Sequence, residues 1–298
     1  MKNPLRKKKY TKAQLRNCAE AYTFMAPFII GVAIFLAFPL FISLKLSFGT
    51  VISVKGFKIE WSGLEHYINA FVMDTNFIPR FLLVLRDTLT RVPLIMIFSL
   101  ILAILLNQNI KYRGFFRVVM FLPFLLGSGY IMTLLKTEGI TTSALSLTDS
   151  PLFPTAFLNY MGASVQKLIN GFFEVIVSVL WASGVQVLLF LSGLQGIPRS
   201  LYESAHVDGA TGIEVFFKIT VPMMMPIIAL NMIYTIVNQF TSADNLILEY
   251  IEQVGFWNYQ WENASAFAWI YFSFIMCLIG LILFIMRKTG QNSFGGEE

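Results

Sequence analysis

The stretch YESAHVDGATGIEVFFKITVP, Tyr202 to Pro222, lies between two long apolar runs, Phe172–Leu194 and Pro222–Thr241. It reads as two helices joined by a hinge. Pro198 suits a first helical position, where its missing N–H costs nothing. PRSLYESAHV then runs as a helix of fewer than three turns. Gly209 follows it, the residue that takes a left-handed backbone most cheaply. Thr211 and Glu214 in TGIE stand as N-cap and N3 of a capping box. That box starts a second short helix with Phe216, Phe217 and Ile219, and Pro222 opens the next apolar run. Isolated helices shorter than about 12 residues are marginal in water, so both need a surface. For the Phe216–Phe217 helix that surface is the chain's own spans. The first helix sets Leu201, Ala205 and the Tyr202 ring on one side, with Arg199, Glu203 and His206 toward water. A soluble partner inside the cell fits it.

The rest of the chain is apolar. Of 298 residues, 56% are hydrophobic and 13% charged, with a mean hydropathy of +0.67. Soluble domains carry about 25% charged residues. A membrane helix needs about 20 apolar residues. Six runs qualify: Tyr22–Phe48, Phe81–Leu106, Phe115–Leu135, Phe172–Leu194, Pro222–Thr241 and Ala264–Met286. Pro27, Pro39, Pro93, Pro123 and Pro226 lie in them, which membrane helices tolerate because neighbours satisfy the freed carbonyls. The first run is too long for a signal peptide and lacks a small-residue cleavage site. The expected fold is all-α: a polytopic membrane protein of six transmembrane helices.

Lys and Arg set the orientation. Seven precede the first acidic residue, Glu20, and others mark the loop NQNIKYRGFFR, the connector (Arg199, Lys218) and the tail (Arg287, Lys288). The segment Ser242–Asn263 has four acidic residues and no Lys or Arg. Both termini are therefore expected in the cytoplasm. The expected organisation is a basic arm over 1–21, a six-helix permease domain over 22–287 with its connector loop at 196–221, and a short tail over 288–298. The basic arm directly precedes a span, so topology and anionic lipid account for it and no nucleic acid is expected.

Enzyme signatures are absent. The sequence has no G-x-x-x-x-G-K-[ST] phosphate loop, no H-E-x-x-H and no G-x-S-x-G. Cys18 and Cys277 allow no disulfide framework and lack metal-ligand spacing. No metal and no cofactor of its own are expected, and the chain is not expected to be an enzyme.

Glu203-Ser204-Ala205, then Gly209 after three residues, then Ile219-Thr220-Val221-Pro222 after nine more resembles a known motif. It is the E-A-A motif of membrane subunits of binding-protein-dependent ABC importers. Ser204 and Val221 replace Ala and Leu. DGAT (208–211) and NQNIKYRGFFRVVMFLP (107–123) resemble the carbohydrate-uptake, maltose-permease-like branch. The resemblance implies a type I importer permease fold in a bacterial inner membrane, with the connector as a coupling helix on a cytoplasmic ATPase. Tyr202, Glu203, Ser204, Ala205, Asp208 and Gly209 would form the coupling site. Glu203 would pair with a basic group, Ser204 and Ala205 would allow close approach, and Gly209 would supply the bend. Implied partners are a second, non-identical permease subunit, two ATPase subunits holding ATP and magnesium, an extracytoplasmic solute-binding protein, a sugar or oligosaccharide cargo, and lipid.

Within the spans, Asp87 and Arg91 are one turn apart and read as a self-neutralising pair. Asn231, Thr235, Asn238 and Ser242 fall on one helical stripe, with Tyr234 at its edge. Such stripes glue helices together or line a watery path. They are read here as lining the path, with Trp181 and Trp269 as ring faces for a sugar. An importer of another polar solute, such as a glycerophosphodiester or an opine, is the alternative in the same class. An intramembrane enzyme would need an acid/base or metal set in the spans, and a channel would not need the E-A-A helix. Single cysteines test the topology, in a background lacking Cys18 and Cys277. With an impermeant maleimide on intact cells, positions 150 and 250 should label and position 202 should not.

Overall fold

The computed structural model describes residues 12–53, 58–108, 162–242 and 244–294, with residues 111, 114, 115, 118 and 119. The expected third span, Phe115–Leu135, falls almost wholly outside the described residues, as do the start of the basic arm and the end of the tail. Four described helices are long and apolar enough to cross a membrane: Tyr22–Ser47, Phe77–Asn107, Gly212–Phe240 and Trp261–Met286. They answer to the first, second, fifth and sixth expected spans. The chain forms two compact units, Met1–Thr75 with Ile251–Ile270, and Asn76–Tyr250 with Tyr271–Glu298.

In the first unit, helix Lys12–Val32 passes through one wide π turn, Ala33–Ala37, into helix Phe38–Ser47. Pro39 explains the wide turn. A helical proline donates no hydrogen bond and crowds the carbonyl four residues back, and widening relieves both. Besides its helices, the first unit holds one short hairpin. Gly49–Ser53 pairs antiparallel with Lys58–Trp61, setting Thr50 opposite Glu60 and Val51 opposite Ile59. β-branched side chains suit such a pleated pair. Gly49 is required by close approach, because a Cβ there would sit 2.6 Å from the Glu60 carbonyl oxygen. Helix Glu65–Ile68 and the wide turn Asn69–Met73 follow. Their His66 and Ala70 are buried. His66 Nδ1 lies 2.8 Å from Asn263 Oδ1, which also accepts from Asn69 Nδ2 at 3.1 Å.

The second unit is built on helix Phe77–Asn107. Its buried residues Val84, Thr88, Val92, Ile95, Ser99, Ala103 and Leu106 step by three or four, making one face. That face packs on helices Gly184–Gly196 and Val221–Phe240. Ala103, Leu106, Val187, Phe190, Leu191, Leu194, Ile197 and Met224 form the core. Between membrane helices the gain comes from close packing, and small residues permit it. Ser99 and Ala103 have no exposed surface.

Three sequence expectations change here. The run Phe172–Leu194 is not one helix: Ala163–Ala182 and Gly184–Gly196 are separated at Ser183. Ser183 Oγ donates to the Leu180 carbonyl at 2.9 Å, a back-bond that bends helices, and a glycine follows. Nor does Pro222 begin a new helix. Gly212–Val215 runs through the wide turn Phe216–Thr220 into Val221–Phe240 without a break. The same device precedes Pro39 and Pro222. Pro198, expected as the first helical residue, is instead the N-cap of Arg199–Val207, with extended ψ of 132°.

Gly193 meets the Ile227 side chain, which would lie 3.0 Å from an added Cβ. Gly193→Val should lower the unfolding midpoint in detergent, since overpacking costs about 1–3 kcal/mol. Gly280→Val, with nothing within 4 Å of its Cβ, should leave that midpoint unchanged.

Candidate functional site: the connector and the polar core

The connector folds as helix, turn, helix. At the end of Arg199–Val207, the Ala210 amide donates to the Ala205 carbonyl at 2.9 Å and the Gly209 amide to the His206 carbonyl at 3.1 Å. This pair of bonds is a Schellman closure. It needs a left-handed residue, and Gly209 has φ of +78°. Thr211 then caps the second helix. Its amide donates to Glu214 Oε2 at 2.9 Å, and the Glu214 amide donates to Thr211 Oγ1 at 3.4 Å. Lys218 Nζ lies 3.5 Å from Glu214 Oε1. Asp208, Gly209, Glu214 and Lys218 line an open cleft between the two helices.

The faces of the first connector helix divide sharply. Tyr202 packs on the core of the second unit, and its hydroxyl lies 3.1 Å from Thr220 Oγ1. Ala205 is buried. Both therefore face their own chain, where the resemblance implies a partner-facing role. Arg199, Glu203, Ser204, His206, Asp208 and Gly209 are exposed. Val207, Ile213 and Phe217 are apolar yet 87%, 73% and 64% exposed. The sequence reading missed Val207 and Ile213 and packed Phe217 on the spans. Their signal was available: a helix that turns Tyr202 and Ala205 inward turns Val207 outward.

The polar stripe also divides. Asn231 and Thr235 are fully buried. Asn231 Nδ2 donates to the Gln186 carbonyl at 3.1 Å, Gln186 Nε2 donates to Thr235 Oγ1 at 3.3 Å, and Thr235 Oγ1 donates to the Asn231 carbonyl at 2.7 Å. These two side chains bond helix Val221–Phe240 to helix Gly184–Gly196 and are buried between them. In the sequence, Gln186 stands inside an apolar run with no local signal of this role. Tyr234, Asn238 and Ser242 are half-buried and keep open surface. Trp181 is half-buried, two residues before the break at Ser183. Trp269 is half-buried in the first unit.

Asp87 and Arg91 form the expected pair, Nε to Oδ1 at 2.8 Å. They also do more. Arg91 Nη1 donates to Ser178 Oγ at 3.0 Å, and Gln239 Nε2 donates to Asp87 Oδ2 at 3.3 Å. Three helices thus meet at one neutralised pair. Among the described residues, no three His, Cys, Asp or Glu side chains gather as a metal site.

Residues 68–288 match the family model described as binding-protein-dependent transport system inner membrane component. The chain is 29% identical over 292 residues to the probable ABC transporter permease protein YesP of Bacillus subtilis (strain 168), covering 91% of this chain and 90% of that one. It is 28% identical over 231 residues to the arabinooligosaccharides transport system permease protein AraP of the same organism, covering 74% and 69%. With the lactose transport system permease protein LacF of Rhizobium radiobacter it shares 27% over 236 residues, covering 76% and 74%. The fold matches the crystal structure of a bacterial ABC transporter involved in the import of the acidic polysaccharide alginate. The TM-score is 0.67 at 21% identity, over 93% of this chain and 98% of that one. This multi-pass chain, mostly helical and with the fold of an ABC importer permease, belongs to the family of binding-protein-dependent transport system inner membrane components and is a transport subunit rather than an enzyme.

Proposed function

We propose that this chain is one permease subunit of an ATP-driven importer of a sugar or oligosaccharide. Six spans, both termini in the cytoplasm and a cytoplasmic connector complete the reading, with the arm, permease domain and tail divided at residues 21 and 287. The carrying observation is the connector. Its residues 203–209 have the E-A-A spacing, and its second helix continues unbroken into a span. A push on the exposed face of Arg199–Val207 passes through Tyr202 and Thr220, and through the Gly209 turn, into helix Gly212–Phe240. No loose joint absorbs the movement. Glu203 and Ser204, with the apolar Val207 and Ile213, form the face offered to an ATPase subunit. ATP and magnesium belong to that partner. A second permease subunit and an extracytoplasmic solute-binding protein complete the assembly.

The names of the relatives support the cargo class, since arabinooligosaccharides and lactose are carbohydrates. The relative UgpA of Escherichia coli, 26% identical over 234 residues, is named for sn-glycerol-3-phosphate, which keeps a second polar cargo in view. Within helix Phe77–Asn107, Asp87 neutralises Arg91, so that cation is not free to attract an anion. Tyr234, Asn238, Ser242 and Trp181 remain the cargo-path residues of this reading, while Trp269 belongs to the first unit. Asn231 and Thr235 hold the wall in place.

Two measurements test the reading. Glu203→Lys and Gly209→Pro should each cut uptake roughly tenfold or more in reconstituted complexes, by reversing an interfacial charge and by removing both the left-handed turn and its N–H. ATPase subunits at full stoichiometry with normal uptake in both variants would sink the coupling role. Asn238→Ala should raise the half-saturating cargo concentration with assembly intact. Asn231→Leu should instead lower assembly or thermal stability, because Gln186 loses a buried partner at a cost of about 1–3 kcal/mol.

A further inference from the structure

The Asp87–Arg91 pair ties three helices, and its outer bonds differ in kind from those of the buried amides. Asp87 and Arg91 answer each other on one helix, Nε to Oδ1 at 2.8 Å. Each keeps an arm for a neutral partner on another helix. Arg91 Nη1 donates to Ser178 Oγ at 3.0 Å, and Asp87 Oδ2 accepts from Gln239 Nε2 at 3.3 Å. Opening either arm leaves the two charges paired with each other, so no bare charge is stranded. Only a hydroxyl or an amide must find a new partner. Gln186, Asn231 and Thr235 are the contrast. They are fully buried, and parting them would strand polar groups inside the protein.

The arm to Ser178 ends on helix Ala163–Ala182, which is followed directly by the joint at Ser183. There the Ser183 amide reaches the Leu180 carbonyl at 3.4 Å and the Ser183 hydroxyl reaches it at 2.9 Å, so two donors share one acceptor. The regular ladder resumes with the Val187 amide on the Ser183 carbonyl at 2.9 Å. Such a joint bends more readily than an unbroken helix. The joint itself is held in place, because Ser183 and Gly184 are buried. The helices on its two sides are anchored unequally within the chain. Gly184–Gly196 gives Val187, Phe190, Leu191 and Leu194 to the core. Ala163–Ala182, among its described side chains, gives Val179 alone to the buried residues.

We infer that Asp87 and Arg91 form a releasable latch on helix Ala163–Ala182. With the Ser178 bond made, that helix is held against helix Phe77–Asn107. With the bond open, it swings about Ser183, while Gly184–Gly196 stays seated on the core. Gln239 gives the latch a second grip, near the end of helix Val221–Phe240. Trp181 lies one turn from Ser178 and moves with the swinging helix. The device belongs to the packing of this chain and depends neither on the cargo nor on an ATPase.

The test uses the full chain, with Cys18→Ser and Cys277→Ser, in nanodiscs of phosphatidylethanolamine and phosphatidylglycerol, and reads distances between two spin labels. Phe172→Cys with Met276→Cys follows the swinging helix. Leu188→Cys with Met276→Cys follows the helix beyond the joint. All three positions are exposed and lie in the second unit. Ser178→Ala opens the latch at its neutral end, and Asp87→Asn with Arg91→Gln removes both charges together. Two routes keep the test alive where one variant fails to fold. Each should add a second distance population for 172–276 and leave 188–276 unchanged. A single, unshifted 172–276 distance in these variants would overturn the latch. Equal changes in the two label pairs would overturn it too, by making the charge pair a strut of the whole core.

Discussion

Inside a bilayer no water can accept or donate a hydrogen bond, so each backbone amide and carbonyl must find its partner within the protein. The chain meets this demand with long helices, and two of its prolines have a local remedy. Before Pro39 and Pro222 the helix widens into a π turn rather than stopping. Pro93 and Pro226 sit inside helices that continue through them. Where a helix does break, at Ser183, the hydroxyl and amide of that residue both bond back to the Leu180 carbonyl.

The same constraint governs the polar side chains. Gln186, Asn231 and Thr235 bond to one another and to backbone carbonyls, because lipid offers them nothing. Their bonds hold two helices together. The set is not saturated, since Gln186 Oε1 and Asn231 Oδ1 have no hydrogen-bond partner among the described residues. A half-satisfied buried network is costly, and a transport subunit that changes conformation has a use for contacts that exchange easily. Asp87 and Arg91 follow the same logic with full charges, joined to Ser178 and Gln239. Asn245 also serves this end. It accepts the Ile247 and Leu248 amides and bonds the Tyr271 hydroxyl, which itself donates to the Phe240 carbonyl.

The connector works under the opposite condition. Its helices are too short to stand alone in water, so terminal hydrogen bonds and one buried face hold them. The Schellman closure at Gly209 and the capping box at Thr211 satisfy their ends. Tyr202 and Ala205 anchor the first helix to the core beneath. What stays outside is therefore rigid and exposed, which suits a surface that receives a mechanical push.

Local chemistry in the sequence determined the helical class, three of the spans at nearly their observed positions and the end of a fourth, the capping box and the left-handed Gly209. Each depends on residues within a turn or two of one another, or on a run of apolar length. The E-A-A spacing likewise pointed to the family, because a motif is local. Tertiary structure alone decided the rest. Nothing short-range says that Asn231 and Thr235 face Gln186 while Asn238 stays open, since a helical stripe has a direction only once a neighbour is chosen. The hairpin of Gly49–Ser53 with Lys58–Trp61 depends on a cross-strand register. Side-chain partners lie far apart in sequence, 45 residues for Asn231 and Gln186 and 152 for Gln239 and Asp87, and packing rather than pattern brings them together.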